Sequence, residues 1–587
     1  MPAPLLKDLT VRLPSVLSRG LSLALVLSPL ATWSQVVPDP APGVIPSAQQ
    51  IQQGRDAVQA PLESAAEVPA PVPVPRELGK PTDDITLDVS AYQVDGLNDV
   101  PRDVLARITA PYTGQGRSYE DMVDAAAAVS RYMQRELGYY LGHAYLPEQS
   151  PKDDGVVRIA VMEGRLDQVL LQWPDKMIVQ REVVERYLTR LKPGEILRVR
   201  DVERVVFMVN DLQGIRARFE VRAGRYPGTA SLVVSPQSEA RFSGKAELDT
   251  YGSRYSGTGR LNVVGTIASP LGRGDGLVLN AMTTTTGGMA FGLISYVLPV
   301  GSDGLKLGVS ASKVHYELDK DAFPVGLNGE ATAANLFGLY PLVRSRNLNL
   351  FALASVEHKA FEDRREIGLN TRKRSDDVQI GVVGDFRDNM LTGGVNTYEL
   401  SALHGRLTYQ QGFVPSDTPS EFQKVVAGYS RLQNLVSNRL LLYVRYKGQR
   451  SFQNLDTTER FSLGGPSGVR AFAPGEGTGD EGDLFTAELR FLPLDSWFGR
   501  ASREMVLSAF YDVGHATFRH DPSLPSLNAL PGSPNSATFS GAGIGAIWDR
   551  PQSFGLRLNL AWPIQGEGTS DPVKKTPRAY AVMTKYF

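Results

Sequence analysis

The chain contains no cysteine, which excludes a disulfide framework and any cysteine-ligated zinc site. Histidine is scarce, with six residues in 587, and none falls in an HExxH or comparable metal-ligand spacing. A GxSxG nucleophile elbow is absent. The glycine-rich run GEGTGDEG at 475–482 lacks the lysine of a phosphate loop, and its acids would repel phosphate. An excess of charge is missing too. With 62 basic and 63 acidic residues, the chain carries no electrostatic footprint for nucleic acid. The expectation is therefore no catalytic residue, no cofactor and no metal. Beyond residue 34, no run approaches the ~18 uncharged apolar residues of a membrane helix.

What is present begins at the N-terminus. Lys7, Arg12 and Arg19 precede an apolar run, Leu21–Leu27, that continues past Pro29 to Ala31. The small residues Thr32 and Ser34 come just before a cut at Gln35. This is the layout of a secretory signal peptide over 1–34, with a short buried helix as the competing reading. An exported chain without membrane helices is either soluble in the periplasm or a β-barrel. Residues 35–83 form a linker. Pro38–Pro46 and Ala70–Pro75 favour extended polyproline conformations, and Ser47–Val58 between them is a short helix or a mobile polar segment.

Two similar modules follow. In 84–163, Ile85, Leu87 and Val89 alternate as a strand, and Pro101–Ile108 fits a short helix. Ser118 with Asp121 opens a capped second helix. That helix lines up Met122, Ala125, Ala126, Val129, Tyr132, Met133 and Leu137 on one face. Strands are expected around Tyr139–Leu146 and Val156–Met162. Residues 164–236 repeat this β-α-α-β-β order. Val169–Leu171 is the first strand, helices carry Val183 to Leu191 and Val202 to Leu212, and Ile215–Val221 and Thr229–Ser235 are the last two strands.

From 237 to 587 helical periodicity stops. Segments of about ten residues alternate with period two between turn clusters, the pattern of a transmembrane β-barrel. Leu556, Leu558, Leu560 and Trp562 share one face, and Arg557 and Asn559 the other. About 350 residues at roughly 20–22 per strand and turn correspond to ~16 strands. The chain ends in Phe587, which shares a face with Met583, Ala581 and Lys585. A charge there near the membrane interface costs only ~0–1 kcal/mol and can snorkel.

One interruption stands out. Between alternating segments at 440–449 and 485–491 lies a long glycine-rich loop, about 461–483, that opens FSLGGPSGVRAF. Arg470 is the single basic residue of this stretch. On its own it reads as a surface arginine in a solvated loop. Downstream, Met505, Leu507, Ala509, Tyr511 and Val513 form an apolar face, and Asp512 points the other way, into the lumen of a barrel. Asp512 either solvates a wet lumen or pairs with a cation.

GGPSGVRAF closely resembles the signature of the outer-membrane transporters of two-partner secretion, the TpsB family of haemolysin secretion/activation proteins (ShlB/FhaC/HecB-like). In that family the element reads VRGY or VRAY on a loop that folds back into a barrel. Val469, Arg470, Ala471 and Phe472 are a near variant, with Ala471 where many relatives have glycine, so a positive φ there would be strained. The repeated modules resemble POTRA domains, and GEILRVRDVERVVFMVNDLQG and GRYPGTASLVV resemble the second POTRA domain of such transporters. Leu248–Gly252 resembles the family's first barrel strand, with Thr250 in place of the usual asparagine. FYDVG at 510–514 resembles the motif whose aspartate, here Asp512, pairs with the signature arginine.

The resemblance implies two POTRA domains followed by a barrel of ~16 antiparallel strands. It also implies a barrel-sorting signal at Phe587 and a short helix, at the place of Ser47–Val58, that can plug the barrel. The implied function is an outer-membrane translocator that recognises and secretes a large partner exoprotein, such as a haemolysin or a filamentous adhesin, through that protein's N-terminal secretion domain. Activation of the cargo is left open. Periplasmic chaperones, the barrel-assembly machinery and outer-membrane lipid are further implied partners. The alternatives are a barrel-assembly factor of the same superfamily, against which two POTRA modules and the VRAF loop argue, and a passive porin, which requires no such modules.

Overall fold

The computed structural model of the protein describes residues 86–149, 154–321, 326–366, 370–412, 414–436, 439–524, 533–550, 552–568 and 576–587. The signal peptide expected at 1–34, and the linker and plug helix expected within 35–83, lie outside the described residues.

The first module runs β1 (Thr86–Val89), β2 (Ala91–Asp95), α1 (Arg102–Thr109), β3 (Gly114–Ser118), α2 (Tyr119–Arg135), β4 (His143–Tyr145) and β5 (Val156–Met162). The capping box is formed. The Asp121 amide donates to Ser118 Oγ at 3.2 Å, and the Ser118 amide donates to Asp121 Oδ2 at 3.0 Å, so two orphan donors at the helix start are satisfied. Met122, Ala125, Ala126, Val129 and Met133 are buried along α2. Two details differ from the sequence expectation. The first strand breaks at Ser90, and β1 pairs with β3 rather than joining the main sheet. The run GQGRS that makes β3 has no apolar alternation, so the period-two signal is missing. The strand expected over 139–146 shrinks to three residues because the chain before it is used elsewhere: the Tyr140 amide donates to the Leu197 carbonyl of the next module at 2.8 Å.

The second module contains β6 (Arg165–Leu171), α3 (Arg181–Leu188), α4 (Val199–Asn210), β7 (Ile215–Ala223) and β8 (Thr229–Ser238). Its sheet order is β6-β8-β7, and that of the first module is β2-β5-β4. In each, the opening strand pairs parallel with the last, and the third strand pairs antiparallel with it. The two modules therefore share one topology. Val202, Val205, Val206 and Val209 turn inward from α4 into a core with Leu232 and Val234.

The remaining strands close into one antiparallel barrel of sixteen. In chain order they begin β9 (Phe242–Asp249), β10 (Arg260–Ala268), β11 (Gly276–Thr284), β12 (Met289–Val300) and β13 (Leu305–Glu317). The long strands β14 (Leu327–Arg344), β15 (Leu348–Arg365), β16 (Thr371–Asp388) and β17 (Gly394–Gln411) follow, then β18 (Glu421–Val436) and β19 (Leu440–Ser451). There the chain leaves the wall. The loop 452–480 contains a two-residue hairpin of β20 (Phe461–Ser462) and β21 (Thr478–Gly479). The wall resumes with β22 (Glu481–Phe491), two residues before the expected loop end. β23 (Met505–Thr517), β24 (Ser536–Arg550), β25 (Phe554–Gln565) and β26 (Arg578–Tyr586) complete it. A short helix, α5 (Asp495–Phe498), lies in the turn between β22 and β23.

Closure is made by β26 against β9. Phe587 continues this seam, its amide donating to the Gly244 carbonyl at 3.0 Å. Along the seam strand, Met583, Lys585 and Phe587 are all exposed on the outer face. No helix among the described residues is long and apolar enough to cross a membrane. Along β16, Thr371, Lys373, Ser375, Asp377 and Gln379 point inward and are buried, while Val378 and Ile380 face out. Along β16 the lumen face is thus polar and packed, whereas the inward faces of β12–β15 carry an apolar cluster that includes Phe291, Val314, Tyr316 and Phe361.

The second module sits on the turns at the strand ends opposite the lumen loop. The Arg344 guanidinium forms two bonds to Asp211, of 3.0 and 2.7 Å, and a third to Asn349 Oδ1 at 2.7 Å. It lies 4.7 Å from the ring centre of Phe207. Both charged side chains are buried, Arg344 at 4 % exposure and Asp211 at 7 %. Arg204 donates to the Pro341 carbonyl at 3.2 Å, and the Gln213 amide to the Gly274 carbonyl at 3.0 Å. Breaking a buried ion pair from one side costs about 3–5 kcal/mol, because it leaves a charge uncompensated, whereas removing both partners costs far less. Arg344→Met is therefore expected to raise amide hydrogen exchange across Val199–Leu212, and Asp211→Leu in the same background to reverse most of the rise. Equal exchange in wild type and Arg344→Met would show that other contacts hold the module.

Candidate functional site

The lumen loop is built to present one arginine. Its tip folds on itself: the Val469 amide donates to the Leu463 carbonyl at 2.7 Å, and the Gly468 amide to the Gly465 carbonyl at 3.0 Å. Gly465 has φ +110°, a conformation that side chains rarely adopt. A Cβ on Gly468 would lie 2.0 Å from the Leu463 carbonyl oxygen, so GGPSG is glycine-rich for steric reasons. Ala471 is not strained. Among the described residues the non-glycine positions with positive φ are Ser269, Leu391 and Gln552.

Arg470 reaches the inner wall and meets Asp512 of β23. Its Nε donates to Asp512 Oδ2 at 2.8 Å and its Nη2 to Oδ1 at 2.9 Å. The Arg470 backbone amide adds a third bond to Oδ2 at 3.2 Å. The remaining nitrogen, Nη1, donates to Glu488 Oε2 of β22 at 3.0 Å. The guanidinium also lies over the ring of Phe510, with its carbon 3.3 Å from the ring centre. Arg470 is 8 % exposed and Asp512 0 %. Arginine suits this position because its planar fork serves two carboxylates at once and its flat face stacks on an aromatic ring.

The neighbouring motif residues pack around this contact. Val469, Ala471 and Phe472 join an apolar cluster with Leu463, Phe510 and Phe539. Phe472 stacks on Phe539 at a centroid distance of 4.4 Å and an angle of 12°. The Phe472 carbonyl accepts from the Tyr580 hydroxyl at 3.1 Å. A Cβ on Gly541 would lie 2.5 Å from that of Ala471, so the wall carries glycine where Ala471 packs against it. Arg445 of β19 holds the loop from the other side, donating to the Ser467 carbonyl at 2.6 Å.

The structure thus brings Val469, Arg470, Ala471, Phe472 and Asp512 together and places Phe587 apart from them, at the seam. Sequence reasoning missed Glu488. The signal was present, since Glu488 shares the inward face of β22 with Thr486 and Arg490, and Arg490 Nε donates to Glu488 Oε1 at 2.9 Å. It also missed the base of the loop. Asp456 accepts from Lys373 Nζ at 2.6 Å and from the Tyr409 hydroxyl at 2.6 Å. Glu459 pairs with Lys359 and, at 2.9 Å, with Lys424. Among the described residues, no group of histidine and acidic side chains is arranged to hold a metal ion.

Comparison with known proteins agrees with this architecture. A model of the haemolysin secretion/activation protein family ShlB/FhaC/HecB matches residues 228–530, and one of the ShlB-type POTRA domain matches residues 87–164. The heme/hemopexin transporter protein HuxB of Haemophilus influenzae is 25% identical over 475 residues, covering 79% of this chain and 81% of that protein. The hemolysin transporter protein ShlB of Serratia marcescens is 23% identical over 443 residues, covering 73% and 74%. The solved structure of CdiB from Escherichia coli superposes with a TM-score of 0.68 at 21% identity, over 92% of this chain and 97% of that one, and shares its fold. With its POTRA module, closed barrel and family match across half its length, the chain belongs to the ShlB/FhaC/HecB haemolysin secretion/activation proteins, the outer-membrane transporters of two-partner secretion.

Proposed function

We propose that this translocator captures the N-terminal secretion domain of its partner exoprotein on two POTRA domains, 84–163 and 164–236, and conducts the chain through the barrel of 237–587. The observation that carries this reading is the buried contact of Arg470 with Asp512 and Glu488. A loop of this length is costly to order, and chain entropy gives it no reason to enter the lumen. A specific anchor must offset that cost, and Val469, Arg470, Ala471 and Phe472 with Asp512 supply it. Seated, the loop occupies the space that a translocating chain needs, so its tip must yield during transport.

The capture role rests on geometry of the same kind. Each module has a three-stranded sheet with two edges, and an extended segment can add to such an edge through main-chain hydrogen bonds. The cargo is a large exoprotein of the haemolysin or filamentous-adhesin type, delivered extended and folding outside. Periplasmic chaperones and the barrel-assembly machinery act earlier, on the translocator's own insertion, where Phe587 is the terminal signal. This role uses no catalytic centre. A passive porin would need neither module.

Two experiments test the reading. Deleting 84–163 is expected to leave an inserted barrel and stop export of the cognate partner, which then accumulates in the periplasm; undiminished secretion would overturn the receptor role. Arg470→Ala leaves Asp512 buried without its cation and Glu488 with Arg490 alone, a loss of about 3–5 kcal/mol of anchoring. It is expected to cripple secretion per unit of inserted barrel, as is Asp512→Ala. The double alanine variant should be little worse than either single one, because the second change removes an interaction already lost. Strictly additive losses would mean that the two residues act separately.

A further inference from the structure

The lumen loop is held at two places, and they differ in depth and in wall. Arg470 meets residues near the middle of β22 and β23. Asp456 and Glu459 meet Lys359, Lys373 and Lys424, which lie on β15, β16 and β18 toward the strand ends on the loop's side. The base contact is fully interior: Lys359, Lys373 and Lys424 are 3–5 % exposed, and Asp456 and Glu459 are 4–6 %. Lys424 Nζ also donates to the Glu459 carbonyl at 2.9 Å, and Asp377 pairs with Lys359 at 2.6 Å. Two carboxylates from the loop and Asp377 from the wall thus pair directly with the three ammonium groups, and the wall acids Glu357 and Asp363 are buried on the same inward face of β15. Leu455 is fully buried beside Leu403, Leu407 and Phe422.

The two legs of the loop are tied just above the tip. β20 and β21 pair there, and Arg460 Nε donates to Asp480 Oδ1 at 2.9 Å. Between this neck and the tip stand Gly465, Gly475 and Gly477, with φ of +110°, +89° and +63°. Backbone with low barriers therefore joins a charge-locked base to a tip with its own separate latch.

We propose that the loop is a two-part device. The base, residues 454–461 with 478–480, stays clamped to the rim by Lys359, Lys373 and Lys424 throughout transport, and only the tip carrying Arg470 leaves the wall. The three lysines, with Asp456 and Glu459, are positioning residues: they hold the tip over its latch and return it there. The inference rests on the reading of the Arg470 contact given above. Physically it follows from charge. Withdrawing the base would take the direct ion-pair partner from Lys373 and from Lys424 and one of two from Lys359, whereas withdrawing the tip separates one cation from two acids.

The chain has no native cysteine, so disulfide pins can be placed cleanly. Phe461→Cys with Gly482→Cys joins the neck to the wall, since the Phe461 ring already lies against the Cβ position of Gly482. Leu463→Cys with Gly514→Cys joins the tip to the wall, since the Leu463 side chain already lies against the Cβ position of Gly514. Each variant is its own control when reduced. Oxidising the neck pin is expected to leave secretion of the partner unchanged, and oxidising the tip pin to abolish it reversibly. Loss of secretion on oxidising the neck pin would overturn the fixed base. Continued secretion through the oxidised tip pin would overturn the mobile tip, yet leave the effect of Arg470→Ala intact as evidence on the anchor itself. A second measurement addresses the clamp. Lys359→Gln with Lys424→Gln is expected to give an inserted channel with prolonged openings in planar bilayers, and adding Glu459→Gln to restore much of the closure by removing the stranded charge. Wild-type gating in the double glutamine variant would show the lysines to be bystanders.

Discussion

Hydrocarbon offers no partner to a backbone amide or carbonyl, and this constraint shapes everything else in the molecule. A strand in lipid must pair on both sides, so the sheet must close. Closing sixteen strands encloses a lumen much wider than side chains alone can fill. The wall must then face lipid on one side and whatever occupies the lumen on the other, which produces the alternation along β16. Here the occupant is part of the chain. A polypeptide brought into that space carries its own polar groups and has to find partners on the wall: Arg470 meets two acids, two acids meet three lysines, and side chains such as Arg445, Gln449 and Tyr580 take loop carbonyls. The same logic holds at the other mouth, where Arg344 satisfies Asp211 at the junction with the second module.

How much of this was legible in the sequence depends on whether the signal was periodic. Period-two alternation and total length announced the barrel and its strand number. Period 3.6 announced α2 and α4, and Ser118 with Asp121 marked a helix start. Asp512 could be assigned to the inner face because it sits between Tyr511 and Val513 on a strand. Contacts between distant segments were legible only through resemblance, which singled out Arg470 and Asp512. Lys359, Lys373 and Lys424 give no such signal. A lysine on the inner face of a barrel strand looks the same whether it meets water or a carboxylate, and its partners lie 100, 83 and 35 residues away. β3 escaped for the opposite reason. GQGRS has neither propensity nor pattern, and it forms a strand because β1 offers it a partner.

The junction between Asp211 and Arg344 also bears on geometry. The second module is tied to the barrel by ions and to the first module by main-chain hydrogen bonds, from Tyr140 to Leu197 and from Val199 to Gly138. A module joined this way keeps a set orientation to the mouth of the channel. A segment bound on either sheet would be presented at a constant angle and distance, much as a guide fixes a thread above the eye of a needle.

The folded-in loop has a consequence for the bacterium that has nothing to do with export. A lumen that passes an extended polypeptide is also wide enough for hydrophilic small molecules that the lipid of the envelope keeps out. Each idle copy is therefore a potential breach, and idle copies outnumber working ones whenever cargo is scarce. Natural selection then acts on the resting state of the loop in every cell that expresses the protein, including cells that secrete nothing at all.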